Sequence, residues 1–350
     1  MAAMQPFRFT LSLLLFVSSL IAGCGQPAFV RQESYVFGTR VEIVSVGAPE
    51  KVAQAALAEV LQEFDRIHHS YHAWQPSDLT RLNEACAQDQ AITVSPEMAG
   101  LLTTARQFSL RSDGLFEPAI GSLIAEWGFH NDTFTPRLPD PERLRALVKA
   151  NPRIAQMSID GVQVRCHDKA IALDFGGIAK GWALDRAAAI LRQRGVNNAL
   201  INIGGNVMAL GKKGDVPWQV GIQEPRGSGA LATLSLYDGE AIGTSGDYQR
   251  FFELDGKRYS HLIDPRTGRP ATGTEAVTVL ITPRPDAGML SDVVSKPIFL
   301  GGAEKWRDMA RRMNVAHVLR VDDSGHIQMT REMQSRLRWG DGKSTAEVVN

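Results

Sequence analysis

The sequence has few cysteines, no excess of charge of either sign and no apolar run long enough to cross a bilayer. Three cysteines in 350 residues are too few for a disulfide scaffold, and their spacing is wrong for a zinc site. Thirty-eight basic residues balance thirty-eight acidic ones, so no overall field attracts nucleic acid or an anionic membrane surface. We therefore expect no nucleic-acid partner, and any anion must be bound by a local site.

The N-terminus has the pattern of a bacterial lipoprotein signal. Arg8 precedes the apolar run Leu11–Ile21, which is too short to span a membrane and stops at Cys24. Small residues precede Cys24, so we expect cleavage before it and acylation of its sulfur; an ordinary signal peptide is the alternative. Acyl chains contribute about 0.8 kcal/mol per buried methylene. This predicts a lipid-anchored protein of the bacterial cell envelope that faces the periplasm, and Gly25 slightly favours the outer membrane.

After Cys24, only Cys86 and Cys166 remain. The sequence leaves open whether these two cysteines pair in an oxidising compartment.

Hydrophobic periodicity predicts a mixture of helices and hairpins. A stripe of Val52, Ala56, Val60, Phe64 and Ile67 has helical spacing. Ser-Pro and Asp-Pro pairs predict helices near 96–110 and 141–149. Further helices are expected after Lys180 and near 287–300 and 303–313. Alternation predicts strands, some broken by glycine-rich turns, at 35–46, 157–165, 170–175, 199–210, 218–222, 231–236, 251–254 and 277–281. The pattern indicates an α+β fold without strict βαβ alternation, internal repeats or low-complexity linkers.

The segment LDFGGIAKGWALD, residues 173–185, joins an apolar run to an amphipathic helix. Bare amides at a helix N-terminus can bind phosphate, and Lys180 adds a positive charge. The spacing does not match a Walker loop. A tight strand-to-helix turn without a ligand is the alternative.

A second polar segment, YSHLIDPRTGRP at 259–270, contains a histidine, a carboxylate and two guanidinium groups. An imidazole with an ordinary pKa near 6.5 can accept a proton from a hydroxyl, and arginines can bind phosphate oxygens. Glycine turns at 202–206 and 241–248 provide further bare backbone and paired hydroxyls. Each of these signals is weak alone.

Together and in this order, the segments resemble the FAD:protein FMN transferase family of ApbE-type periplasmic lipoproteins. The most specific matches are LDFGGIAKGWALD, INIGGNV, GTSGDYQR and SHLIDPRTGRP, and looser ones are FGT, SDLTRLN and GLFEPAIGSLIAEWGF. The resemblance implies a T-fold-like α+β architecture with mainly antiparallel sheets and packed helices. It divides the chain into a signal peptide (1–23), a lipid-anchored tether (24–32), a transferase-like domain (33–340) and a C-terminal tail (341–350).

The resemblance also implies a reaction and a set of site residues. FAD and magnesium would bind in a cleft, and FMN would pass to a Ser or Thr hydroxyl of an exported acceptor protein that carries a flavinylation motif, with release of AMP. His261 would be the general base and Asp264 would orient the site. The predicted FAD-binding residues are Gly176, Gly177, Ile178, Ala179, Lys180, Asp185, Gly204, Gly205, Thr244, Ser245, Gly246, His261, Arg266 and Trp74. Trp127 is a further candidate for ring contact, although tryptophans more often belong to the core.

The predicted magnesium site departs from the family pattern. Asp292 and the carbonyl of Ala179 would be ligands, but Lys296 stands where the family has threonine, and an ammonium cannot bind magnesium. Three accounts remain open: Lys296 replaces the metal's charge, Lys296 only pairs with Asp292 at i,i+4 spacing, or the site binds flavin but transfers poorly. His68, His69 and His72 could hold a metal, but they more often mark a helix end.

The function expected from these features is therefore transfer of FMN from FAD to a partner protein. A flavin-binding carrier without efficient transfer is the alternative from another class. A third alternative is an FAD pyrophosphatase that yields FMN and AMP, because water could replace the acceptor hydroxyl.

Overall fold

The structure, a computed structural model, describes residues 28–131, 133–340 and 346–349. The predicted signal peptide and Cys24, the predicted site of acylation, lie outside the described residues. No helix in these three segments combines the length and the apolar character that crossing a membrane requires.

The helices carry caps that the sequence signals. Ser95 accepts a hydrogen bond from the amide of Met98, and Asp140 accepts from the amides of Glu142 and Arg143, each just before a first-turn proline. The helices are α1 Glu50–Ser70, α2 Asp78–Ala87, α3 Pro96–Arg111, α4 Gly121–Glu126, α5 Pro141–Ala150, α6 Ala179–Gln193, α7 Ala287–Leu300, α8 Gly302–Arg312 and α9 Arg331–Gln334, with a 3-10 turn at Ile154–Gln156.

The strands are mostly short and are joined by glycine-rich turns. They are β1 Phe29–Val36, β2 Thr39–Val46, β3 Ile92–Thr93, β4 Met157–Asp160, β5 Gln163–Cys166, β6 Ala199–Ile203, β7 Asn206–Leu210, β8 Trp218–Gln223, β9 Ala230–Leu236, β10 Ala241–Gly246, β11 Phe251–Leu254, β12 Lys257–Ser260, β13 Ile263–Asp264, β14 Arg269–Pro270, β15 Ala276–Ile281, β16 His317–Val321, β17 Ile327–Thr330, β18 Leu337–Trp339 and β19 Ala346–Val349.

A nine-stranded sheet organises the molecule. Its order is β1-β2-β6-β7-β10-β15-β16-β17-β19, and only the β17–β19 pair among the described strands is parallel. Alternate residues face opposite sides of the sheet. Val41 and Ile43 of β2 join the core shared with α1, α6 and α7, whereas Val44 and Val46 join the core shared with β8 and β9. The α+β class and the mainly antiparallel pairing are confirmed.

Several boundaries predicted from the sequence are wrong. The single strand predicted at 35–46 is instead part of a hairpin of two strands, β1 and β2. This hairpin begins at Phe29, so residues 29–32 of the expected tether belong to the sheet. Residues 346–349 of the expected tail form β19, the sheet's last strand. Residues 170–175 form a single bridge, Ile120 with Ala172, instead of a strand. In α1, Val52 is 40% exposed and Ala53 is buried in its place.

Cys86 and Cys166 form a disulfide that joins the end of α2 to the end of β5, with their Cα atoms 5.0 Å apart. The question that the sequence left open is thereby answered.

Candidate active site

A cleft of about 800 Å³ opens where the glycine-rich segments meet. The turn between β6 and β7, strand β10, the loop before α6 and the second half of α7 all reach it. The predicted residues that line it are Trp74, Gly176, Gly177, Ala179, Lys180, Gly204, Gly205, Thr244, His261 and Lys296. The structure therefore brings most of the predicted site into one cavity.

The glycine loop before α6 uses most of its amides inside the protein. The amide of Gly176 donates to Oδ1 of Asp174 at 2.7 Å, and the amides of Ile178 and Ala179 donate to the carbonyl of Phe175. Three of the five amides predicted to hold the pyrophosphate are thus engaged, and the side chain of Ile178 is buried. The Lys180 ammonium, bound to the Gly176 carbonyl at 3.2 Å, lies at the same loop and provides a positive charge.

His261 follows β12 and lines the cleft. Its Nδ1 lies 3.1 Å from the Arg250 carbonyl oxygen. Since a carbonyl can only accept, Nδ1 carries the proton and Nε2 has the free lone pair. Burial and the nearby charges of Arg250 and Lys180 lower the pKa of His261 to about 3. The imidazole is therefore neutral at physiological pH and can accept a proton through Nε2.

Asp264 and Arg266 do not line the cleft, contrary to the role predicted for Arg266. The Arg266 guanidinium donates to Asp264 from Nε at 2.9 Å and from Nη2 at 2.7 Å, and Nη2 also reaches the Leu300 carbonyl. The pair fixes the turn between β13 and β14 and connects it to the end of α7.

Strand β10 alternates between the cleft and the interior. Thr244 faces the cleft and hydrogen-bonds Thr278 at 2.9 Å. Ser245 faces the other way and hydrogen-bonds Ser295 of α7 at 2.8 Å. Gly246 lies against the ring of Tyr248, which a Cβ would approach to 2.5 Å. Of the three predicted flavin neighbours, only Thr244 lines the cleft.

Asp185 caps a helix, contrary to its predicted contact with FAD. Its carboxylate accepts from the amides of Gly288 and Met289, at 2.7 and 2.8 Å, at the start of α7. The backbone donors of that helix end explain why an acidic residue is needed there.

The two candidate tryptophans have different environments. Trp74 lines the cleft and stacks on His130, with ring centroids 5.0 Å apart. Trp127 is buried against Tyr259 and donates to the Gly268 carbonyl at 2.7 Å, so of the two alternatives for Trp127 the structure supports a place in the core. Arg250 also lines the cleft, and His130 borders it only through its stacking on Trp74. The sequence gives no signal for His130, whereas Arg250 ends the segment GTSGDYQR.

The residues at the predicted magnesium site do not fit a divalent metal. Oδ1 of Asp292 lies 2.5 Å from Nζ of Lys296, and Oδ2 accepts from the Gly181 amide at 2.9 Å. Magnesium needs oxygen ligands in octahedral geometry, but here an ammonium holds the carboxylate. Among the described residues, no group of three or more His, Cys, Asp or Glu side chains is placed to hold a metal. His68 and His69 instead end α1.

Comparison with known proteins places this cleft in a family. A profile described as the ApbE family matches residues 37–319. An FAD:protein FMN transferase of Rhodobacter capsulatus is 40% identical over 91% of this chain, which spans 60% of that protein's length. One from Treponema pallidum is 32% identical over 96% of this chain and 97% of its own.

Solved structures agree with this assignment. The ApbE protein of Thermotoga maritima superposes with a TM-score of 0.81 at 29% identity, covering 89% of this chain and all of the other. The flavin transferase ApbE of Vibrio cholerae superposes with a TM-score of 0.77 at 26% identity, covering 89% of this chain and 99% of the other. The chain belongs to the ApbE family.

Proposed function

We propose that this chain transfers FMN from FAD to a Ser or Thr hydroxyl of a partner protein and releases AMP. Its relatives in Rhodobacter capsulatus and Treponema pallidum carry the name FAD:protein FMN transferase. A transferase of this kind needs a base for the hydroxyl and positive charge for the phosphates, and this cleft contains both.

The observation that supports the proposal most directly is the state of His261. Its Nδ1 is committed to the Arg250 carbonyl, which leaves Nε2 as a base in the cavity that Lys180 and Lys296 also line. A neutral imidazole beside two ammonium groups suits an attack on a phosphate ester. A flavin carrier would need the charges but would not need the base.

In the proposed reaction, the acceptor's hydroxyl oxygen attacks the phosphorus of the FMN half of FAD. The new P–O bond forms while the bond to AMP breaks, and AMP leaves with that electron pair. The hydroxyl proton passes to Nε2 of His261. Negative charge spreads over the phosphoryl oxygens, where the ammonium groups of Lys180 and Lys296 stabilise it. None of these steps requires a metal ion bound to Asp292.

One reaction separates the three candidate activities. The full chain is incubated with FAD and an exported candidate acceptor that carries a Ser or Thr flavinylation motif, and the products are separated by denaturing gel and chromatography. Transfer gives a fluorescent acceptor and one AMP for each flavin bound. AMP and free FMN without labelled acceptor would indicate hydrolysis, and intact FAD would indicate a carrier. The acceptor's Ser or Thr changed to Ala is the control.

The proposed location is the periplasmic side of a bacterial membrane, with Cys24 carrying the lipid. The disulfide between Cys86 and Cys166 supports an oxidising compartment. Mass spectrometry of the N-terminal peptide tests the anchor: the acylated Cys24 is expected, and a peptide cleaved elsewhere without lipid would contradict it.

A further inference from the structure

Lys296 projects from α7 towards the glycine loop of the cleft. Its Cδ and Cε atoms lie so close to Gly177 that a Cβ there would meet them at 3.2 Å. The side chain is 16% exposed, while that of Asp292, one helical turn earlier, is 2% exposed. The ammonium is thus held at the wall of the cavity, on the side of the loop predicted to receive the diphosphate.

The partners of this ammonium do not use all of its hydrogen-bonding capacity. Nζ donates to Oδ1 of Asp292 at 2.5 Å and to the Asp292 carbonyl at 2.7 Å. An ammonium has three donors, and the described contacts account for two. A third donor remains for a ligand in the cleft that Lys296 lines.

Basic side chains outnumber acidic ones in the lining of the cleft. Arg250, Lys180 and Lys296 line it together with Glu117 and Asp174, and the N-terminus of α6 adds its partial positive charge. Lys180 and Lys296 both reach the cleft, whereas Asp292 does not line it. The lysine side chains can therefore contact an anion in the cleft directly.

A purely structural ion pair explains this arrangement less well. A buried ion pair is seldom more stable than apolar residues of the same size, so stability alone gives little reason to place one here. The engaged amides of Gly176, Ile178 and Ala179 also leave much of the anion binding to cationic side chains.

We propose that the ammonium of Lys296 takes the place of a divalent metal and contacts the diphosphate of FAD, so that this chain binds FAD without magnesium. The inference rests on the proposed function, because FAD is the ligand. In this proposal, a side chain of the protein provides the positive charge that a bound metal ion would otherwise provide.

Binding titrations with the full chain test the proposal. The wild type is expected to bind FAD with the same affinity, within about twofold, in EDTA and in saturating magnesium. Lys296→Met should weaken FAD binding by about tenfold to hundredfold under both conditions, as expected for a lost charge-assisted hydrogen bond. Lys296→Thr should be similarly weak in EDTA and should regain affinity when magnesium is added, because Asp292 is then free to bind the metal together with the new hydroxyl.

Two controls separate contact with the diphosphate from a structural role. Riboflavin has no phosphate, so Lys296→Met should leave its affinity unchanged. Lys305→Met removes an exposed lysine of α8 that does not line the cleft, and it should bind FAD as the wild type does. If Lys296→Met does not fold because Asp292 is left unpaired, Asp292→Asn/Lys296→Met removes both charges and serves in its place.

The outcomes are distinct. Wild-type affinity for FAD that falls about tenfold or more in EDTA would overturn the proposal. The proposal would also be overturned if Lys296→Met or the double variant bound FAD as tightly as the wild type does. Absence of FAD binding in every condition would instead remove the proposed function, and this inference with it.

Discussion

At the scale of single residues, the state of His261 follows from one hydrogen bond and its burial. The Arg250 carbonyl selects the tautomer, and the positive charges of Arg250, Lys180 and Lys296 oppose protonation of the ring. The same lysines that suit a diphosphate therefore also keep the base neutral. Bound FAD would offset those charges and make Nε2 more basic, so the base becomes stronger when the substrate is present.

The lowered pKa of His261 gives a prediction for acid conditions. The folded protein keeps this ring neutral down to about pH 3, whereas an unfolded chain protonates it near its ordinary pKa of about 6.5. As the pH falls below that value, the unfolded state binds a proton that the folded state does not. The contribution of His261 to the free energy of unfolding therefore decreases, by at most about 1.4 kcal/mol per pH unit.

NMR titration of the imidazole signals checks this value, with His261→Gln used to assign the signal. The His261 resonance of the free protein should not move between about pH 5.5 and 8, because the ring stays neutral over this range. A midpoint near 6.5 for His261 would contradict the prediction. His261→Gln should also abolish transfer and retain FAD binding.

The sequence identified which residue types the site contains better than it identified what each one contacts. His261, Lys180 and Thr244 line the cleft because their glycine-rich segments converge on it. Asp185 does not, because it binds amides of a helix end 103 and 104 residues away. Arg266 does not, because it pairs with Asp264 and also binds a carbonyl 34 residues away. Local sequence contains no signal for such distant partners.

At the scale of elements, two helices position the cations through a close glycine contact. A Cβ on Gly181 of α6 would lie 2.3 Å from the Gly288 carbonyl of α7, and a Cβ on Gly288 would lie 2.5 Å from the Gly181 carbonyl. Only glycines allow the backbones to approach this closely. The approach lets Asp292 of α7 accept from the Gly181 amide and brings Lys296 to the loop before α6.

Gly288→Ala is expected to lower the free energy of unfolding by about 1–3 kcal/mol, because the new methyl group forces the two helices apart. It should also weaken FAD binding, since α7 carries Lys296. Chemical denaturation measures the first effect and flavin fluorescence measures the second.

Gly100→Ala is the matched control. Gly100 lies in α3, where a Cβ would meet nothing within 4 Å, so alanine should raise stability by about 0.5–1 kcal/mol. If Gly288→Ala were as stable as the wild type, α6 and α7 could move apart at this contact without loss of stability, and the prediction would be wrong.

Helices were easier to predict than strands for a physical reason. Caps and first-turn prolines are local, so the starts of α3 and α5 could be read from Ser95 and Asp140. The hairpin of β1 and β2 turns at Phe37 and Gly38, both with positive φ, and phenylalanine is an unusual residue in that conformation. Gly38 is the only turn-forming residue at this position, and a single glycine within an alternating pattern does not distinguish a hairpin from one continuous strand.

At the scale of the whole molecule, the nine-stranded sheet separates two cores, and the cleft lies where its central strands meet α6 and α7. Alternation along each strand indicated hairpins, but strand order depends on pairings such as β2 with β6 and β7 with β10. These pairings join segments far apart in the chain, which composition and periodicity do not specify.

The disulfide stabilises this architecture as a whole, because it closes a loop across a sequence separation of 80 residues. Reduction of the wild type, or Cys86→Ala/Cys166→Ala, is expected to lower the free energy of unfolding by about 2–4 kcal/mol, mainly through the greater freedom of the unfolded chain. Neither cysteine lines the cleft, so FAD affinity at a temperature where the protein stays folded should not change.

Thermal unfolding with and without reductant measures the effect, and the double variant is the control, since reductant should not alter its midpoint. A wild-type midpoint that is equally insensitive to reductant would mean that this covalent link between α2 and β5 does not stabilise the fold.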